Sequence, residues 1–165
     1  MDLFLLRHGR ADEAGHGTPD AGRKLTKKGR EEIEAVADWM SAQQLHFDLI
    51  AASPLVRAQE TAAIVADILD SPEMLETWKV LLPGGNPDTV CREICKHPEE
   101  TTILLVGHEP LLSSLIGRII TGGGDAGIAM TKGALAKIRD ISCTERPSGN
   151  LHWLLTAKQM TGKSH

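Results

Sequence analysis

Three short runs of uninterrupted apolar residues, each stopped by a polar or charged side chain, constrain this chain more than any other feature. Leu3 to Leu6 runs into Arg7, His8 and Gly9; L-I-A-A after Asp48 runs into Ser53; I-L-L-V runs into Gly107 and His108. A strand with one wet face alternates apolar and polar residues. A continuous run of this length instead marks a strand covered on both faces, as in parallel sheets flanked by helices.

The intervening segments supply the helices. The stretch from Arg10 to Lys24 holds three glycines and a proline, has no apolar period, and reads as a loop. Beyond it, Ile33, Val36, Ala37 and Met40 recur at helical spacing, with Thr26 placed as N-cap and Gly29 in the first turn. S-P-L-V-R-A-Q-E-T-A-A-I-V-A-D-I-L reads as a second helix, capped by Ser53 with Pro54 opening it, its inner face formed by Ala58, Thr61, Ala62, Val65 and Leu69. N-P-D-T-V-C-R-E-I-C-K-H and L-L-S-S-L-I-G-R-I-I read as two more. G-A-L-A-K-I-R-D-I and L-H-W-L-L-T-A, on either side of the turn-rich T-E-R-P-S-G-N, read as a strand hairpin. The expected fold is α/β: a three-layer α/β/α sandwich whose mainly parallel sheet ends in an antiparallel C-terminal edge hairpin.

At 165 residues and 41% hydrophobic content the chain suits one domain, expected over residues 1–158, with 159–165 as a flexible C-terminal tail. Net charge is -4 with both signs mixed along the chain, so no basic arm points to nucleic acid or to an anionic membrane. Trp39, Trp78 and Trp153 are too dispersed for a base-stacking platform. The odd count of three cysteines and the 3% aromatic content do not suit a disulfide-stapled secreted scaffold, which favours a reducing cytoplasm. Leu3 to Leu6 is too short for a signal-peptide core, and no apolar run approaches the roughly 18 residues that span a bilayer.

Ligands of open α/β sheets collect at the carboxyl ends of the strands. Arg7 and His8, the segment Ser53 to Arg57, and His108 all follow apolar runs, so three strands are expected to deliver Arg7, His8, Arg57 and His108 to one crevice. Two guanidinium and two imidazole groups without a carboxylate repel one another unless an anion lies between them. A phosphoryl group, bound through forked, charge-assisted hydrogen bonds, suits that place.

The motifs L-L-R-H-G, L-T-K-K-G, S-P-L-V-R-A-Q-E-T-A and V-G-H-E-P, taken in order, resemble the histidine phosphatase superfamily, which includes phosphoglycerate mutases. The short length, L-L-P-G-G and the C-terminal hairpin are most similar to its SixA-type phosphohistidine phosphatases. The resemblance implies that His8 is a transiently phosphorylated nucleophile and that Arg7, Arg57 and His108 hold the phosphoryl oxygens, with no metal and no cofactor. The partner it implies is a phosphohistidine-bearing protein, such as a phosphorelay domain or a phosphocarrier. An attacking imidazole must be neutral while an oxygen clamp works better charged, so His8 is expected neutral and His108 protonated at work. Gly9 is expected to let the backbone turn beside the phosphate.

Many superfamily members that cleave phosphate esters use a carboxylic acid to protonate the leaving oxygen. Glu76 lies in about the right interval but its surroundings do not match that acid's motif, and Asp12 or Glu13 can be proposed as easily, so no general acid is assigned. An alkoxide needs such a donor more than an imidazole does, which favours phosphohistidine over small phosphoesters as substrate. A phosphatase of small phosphoesters is the alternative, and a noncatalytic phosphoprotein-binding module is a third reading, disfavoured by the two histidines.

Other residues carry simpler readings. Ser53 reads as a cap and not a nucleophile. Cys91 and Cys95, although near His97, read as core-facing on a helix and not as metal ligands. T-G-G-G-D-A-G matches G-x-G-x-x-G at Gly122, Gly124 and Gly127 but follows a helix, so it reads as a helix stop. His16, His46, His152 and His165 read as surface or structural residues.

Overall fold

The computed structural model describes residues 1–14, 17–123 and 125–163. His16, His165 and Gly124, singled out above, lie outside the described residues.

Six strands form one sheet: β1 (Asp2–Arg7), β2 (Leu49–Ala52), β3 (Leu75–Thr77), β4 (Thr102–Gly107), β5 (Leu135–Ser142) and β6 (Ser148–Leu155). Their order is β3-β2-β4-β1-β5-β6, with the first four parallel and β5 and β6 antiparallel. The sheet is therefore mainly parallel with an antiparallel C-terminal edge, as the apolar runs and the final hairpin predict.

Each apolar run feeds two cores. Leu3, Leu5, Ile103 and Leu105 point to one face, where they meet α3 (Pro87–Ile94) and α4 (Leu111–Thr121). Phe4, Leu6, Leu104 and Val106 point to the other, against α1 (Lys27–Ala42), α2 (Val56–Ile68) and α5 (Ala157–Thr161). This two-sided burial explains why the runs are continuous. Burying each Leu or Ile contributes roughly 1.5–3 kcal/mol against the cost of ordering the chain.

Helix α1 starts where predicted: Thr26 Oγ1 accepts from the Gly29 N–H at 2.9 Å, and Ile33, Val36, Ala37 and Met40 are buried. Gly29 is required by packing, since a Cβ there would lie 2.2 Å from the Arg10 carbonyl oxygen. Helix α4 stops at Gly122, in the left-handed region with φ 85°.

Two expectations need correction. Residues 159–161 are not tail: a capping box at Thr156 and Gln159 starts α5, and Met160 is buried in the second core. Cys95, read as core-facing, is half-buried and pairs with Cys143, just past β5, in a disulfide that leaves buried Cys91 as the free cysteine. Trp39 and Trp153 meet edge to face at 6.0 Å in the second core, while Trp78 lies in the first.

Among the described residues, no helix is long and apolar enough to cross a membrane.

Candidate active site

Strand register sets the site. Arg7 pairs with Gly107 across β1 and β4, and Ala52 pairs with Val106 across β2 and β4. The residues that follow, His8, Ser53 and His108, therefore leave the sheet at one level. The first turn of α2 adds Arg57 beside them. The four predicted residues, Arg7, His8, Arg57 and His108, line one pocket of about 240 Å³, joined by Arg23, Lys132 and Glu109.

His8 is 6% exposed and its Nδ1 lies 2.7 Å from the Gly9 carbonyl oxygen. A carbonyl only accepts, so Nδ1 carries the proton and Nε2 the lone pair. Burial pushes the pKa of His8 down to about 3; the Gly9 bond opposes this, and His108, Arg57 and Arg7 add to it. His8 is thus neutral at neutral pH, the state that nucleophilic attack requires.

His108, 2% exposed, lies with its ring centroid 5.0 Å from that of His8. Burial, then Arg57, lower its pKa to about 4; Asp20 opposes this, and Arg7 and Arg23 act with it. The unliganded site therefore holds His108 toward its neutral form, whereas the expectation of a protonated His108 concerns the site with an anion in it. The low-dielectric site already holds guanidinium charge, so a further cation is disfavoured until an anion arrives.

Geometry offers His108 another way to donate a hydrogen bond. Ser53 Oγ lies 2.8 Å from His108 Nε2 and accepts from the Leu55 N–H at 3.3 Å. With the hydroxyl donating to Nε2, a neutral imidazole carries its proton on Nδ1, and that buried nitrogen has no partner within the protein. Ser53 therefore does not cap α2, whose N-cap is Leu55.

Gly9 is also explained differently. A Cβ there would lie 2.7 Å from Ile33 Cγ1 and 3.2 Å from the Gly29 carbonyl oxygen, so it is helix α1 that demands glycine. Its N–H donates to Thr61 Oγ1 at 3.1 Å, and that hydroxyl donates to the Arg57 carbonyl at 2.7 Å, tying the His8 turn to α2.

The arginines are positioned by the backbone and by a carboxylate that sequence reasoning missed. Arg7 donates to the Met130 carbonyl at 2.9 Å. Arg57 donates to the Asp20 carbonyl at 3.0 Å and reaches Asp20 Oδ2 at 3.4 Å, while Arg23 Nε donates to Oδ1 at 2.9 Å. Partial desolvation raises the pKa of Asp20, but Arg57 and Arg23 outweigh it and hold the carboxyl below its ordinary value. Asp20 and Arg23 sit in the glycine-rich loop, where no periodicity marks a functional residue.

Glu76 is held away from the pocket by accepting from Trp78 Nε1 at 2.9 Å. Asp12 and Glu13 line a neighbouring hollow. Glu109 is the acid that lines the pocket, and its two oxygens accept backbone N–H groups from Ser113 at 2.9 Å and Met130 at 3.4 Å. It supports the Met130 segment on which Arg7 rests. Among the described residues, no group of three or more His, Cys, Asp or Glu side chains is placed to hold a metal ion.

Buried Arg7 Nε, Arg57 Nε and His108 Nδ1 have no hydrogen-bond partner within the protein, although buried polar atoms are nearly always paired. All three belong to residues lining the same pocket. Two buried histidines and the guanidinium groups of Arg7 and Arg57 thus converge at the carboxyl end of the sheet, an arrangement suited to an oxyanion beside an imidazole lone pair.

Comparison with known proteins gives that arrangement a family. The model of the histidine phosphatase superfamily (branch 1) matches residues 3–81. An uncharacterized protein of Picosynechococcus sp. is 30% identical over 141 residues, covering 84% of this chain and 85% of that protein. Phosphohistidine phosphatase SixA of Escherichia coli is 27% identical over 158 residues, 94% of each chain. The structure of the protein histidine phosphatase SixA complexed with tungstate superposes with a TM-score of 0.84 at 26% identity, over 95% of this chain and 97% of that one. The chain belongs to the histidine phosphatase superfamily.

Proposed function

We propose that the protein is a metal-independent phosphatase that hydrolyses phosphohistidine on a partner protein through a phospho-His8 intermediate. The observation that carries this reading is the His8 Nδ1 to Gly9 carbonyl bond, which leaves Nε2 as the lone-pair nitrogen in a pocket lined by Arg7, Arg57 and His108. In the first half-reaction Nε2 attacks phosphorus in line. The substrate P–N bond breaks as the new one forms, and the departing imidazole takes a proton from solvent. Water then attacks the phospho-His8 phosphorus, the P–N bond breaks, and orthophosphate leaves with His8 restored.

Arg7, Arg57 and Arg23 offset charge on the equatorial oxygens, and His108 adds a hydrogen bond through Nδ1. Preorganised donors of this kind are each worth about 3 kcal/mol in the transition state. The pocket's acid, Glu109, has both oxygens engaged by backbone donors, so its geometry suits a leaving group that needs no positioned proton donor. Similarity over nearly the whole chain to a phosphohistidine phosphatase, and to a relative bound to the tetrahedral oxyanion tungstate, supports the same substrate class. We place the protein in the cytoplasm, where the Cys95–Cys143 bridge is exposed to reduction.

Two measurements test the reading. A labelled phosphohistidine protein, mixed with enzyme and quenched without acid, is expected to label wild type and not His8→Ala. Chelators are expected to leave turnover unchanged. Label on His8→Ala, or hydrolysis of small phosphoesters with phosphohistidine protein untouched, overturns it.

A further inference from the structure

A second cleft, about 620 Å³, opens beside the phosphate pocket between the segment before β5 and the start of α5. Arg7 and Lys132 line both cavities, so the two adjoin. Beyond Arg7, the cleft is lined by Arg10, Lys132 and Lys158, with the buried carboxylate of Glu32 beneath. Lys28 joins Arg10 and Lys132 around the adjoining hollow, which Asp12 and Glu13 also line.

This concentration of cations is not a property of the whole surface, because the chain carries a net charge of -4. Nor are the lysines neutralised internally: among the described residues, neither Lys132 nor Lys158 forms an ion pair, whereas Arg118, beside the disulfide hollow, is paired with Asp88 at 2.6 Å. Size points the same way. The phosphate pocket, at about 240 Å³, is smaller than the roughly 300–1,000 Å³ of sites that enclose a whole small ligand. It suits a phosphoryl group and the ring that bears it, and the chain that bears the ring has to leave over the rim.

We propose that this cleft docks a carboxylate-rich segment of the phosphorylated partner, flanking its phosphohistidine. The proposal rests on the reading of the pocket as a phosphohistidine site. The phosphoryl group engages Arg7 and Arg57, with Lys132 lining both cavities, while aspartate or glutamate side chains a few residues away face Arg10 and Lys158. Such contacts at a solvated rim act through charge, raising encounter and lowering KM while leaving the chemical step alone, and they weaken with salt.

The test uses the full chain and three synthetic phosphohistidine peptides of one length, flanked by acidic, serine or lysine residues. Two rim contacts predict that wild type hydrolyses the acidic peptide with kcat/KM about tenfold above the serine peptide, the gain residing in KM and vanishing in high salt. Arg10→Ser with Lys158→Ser is expected to abolish that preference while turnover of phosphoramidate, which cannot reach the cleft, stays within about twofold. Lys158→Glu is expected to shift preference toward the lysine peptide. Equal kcat/KM for the three peptides on wild type, or a preference that survives the double variant, overturns the proposal. Should none of the peptides be hydrolysed, the phosphohistidine reading fails by itself, and docking is then read from fluorescence anisotropy of the unphosphorylated acidic peptide. Tighter binding to wild type than to the double variant upholds docking, and equal binding refutes it.

Discussion

Ser53 and His108 form a buried pair, Oγ to Nε2 at 2.8 Å, in which a donating hydroxyl leaves the proton of neutral His108 on Nδ1. Ser53 is fully buried, and replacing it with alanine leaves Nε2 with neither water nor partner, a loss of about 1–3 kcal/mol. Ser53→Ala is expected to lower kcat roughly tenfold or more with a smaller change in KM, while Ser53→Thr, which keeps the hydroxyl, restores most of the rate. A rate loss in both variants in proportion to thermal destabilisation would reduce Ser53 to a packing residue.

The depressed pKa values of both histidines bear on stability. In the unfolded chain each returns to about 6.5, against about 3 for His8 and about 4 for His108 when folded. Below pH 6.5 the unfolded state takes up protons that the folded state refuses, so stability is fully present above that pH and falls as pH drops toward 4. Urea unfolding at pH 7 and pH 5 is expected to show a lower midpoint at pH 5, with a smaller drop in His8→Gln. Orthophosphate, whose charge favours protonated His108, is expected to recover part of the loss.

The sheet and the four converging side chains were legible in the sequence because burial on both faces leaves a continuous apolar signature, and because strand ends carry ligands. Arg7, His8 and His108 directly follow such runs, and Arg57 lies one helical turn after another. Asp20 and Arg23 were not legible, since they act from a loop through a bond to a distant helix. The Cys95–Cys143 pair was hidden for a similar reason: spacing along a helix says nothing of a partner 48 residues away. Gly9 and Gly29 looked like turn and helix residues, and their need for glycine appears only once α1 is packed against the His8 turn.

Asp20 shares Arg57 and Arg23 with whatever anion enters the pocket. In Asp20→Asn the backbone carbonyl still accepts from Arg57, which donates to it at 3.0 Å in the native protein, but the competing negative charge is gone. The competitive inhibition constant of orthophosphate is expected to fall by roughly threefold to tenfold, an effect of ordinary size for one partly solvated charge. A higher constant would mean that the carboxylate matters more for orienting Arg57 than for opposing the anion.

The disulfide joins the C-cap of α3 to the end of β5 and closes a sequence separation of 48 residues. A loop of that size restricts the unfolded chain by about 4 kcal/mol on the chain-entropy view. Thiol titration of the denatured, oxidised protein is expected to find the single thiol of Cys91, and three thiols after reduction. Cys143→Ser is expected to unfold at lower urea than the oxidised wild type yet to match the reduced wild type, and to retain full turnover, because neither half of the bridge lines the phosphate pocket. Identical urea midpoints for oxidised and reduced wild type would show that the bridge contributes nothing to stability.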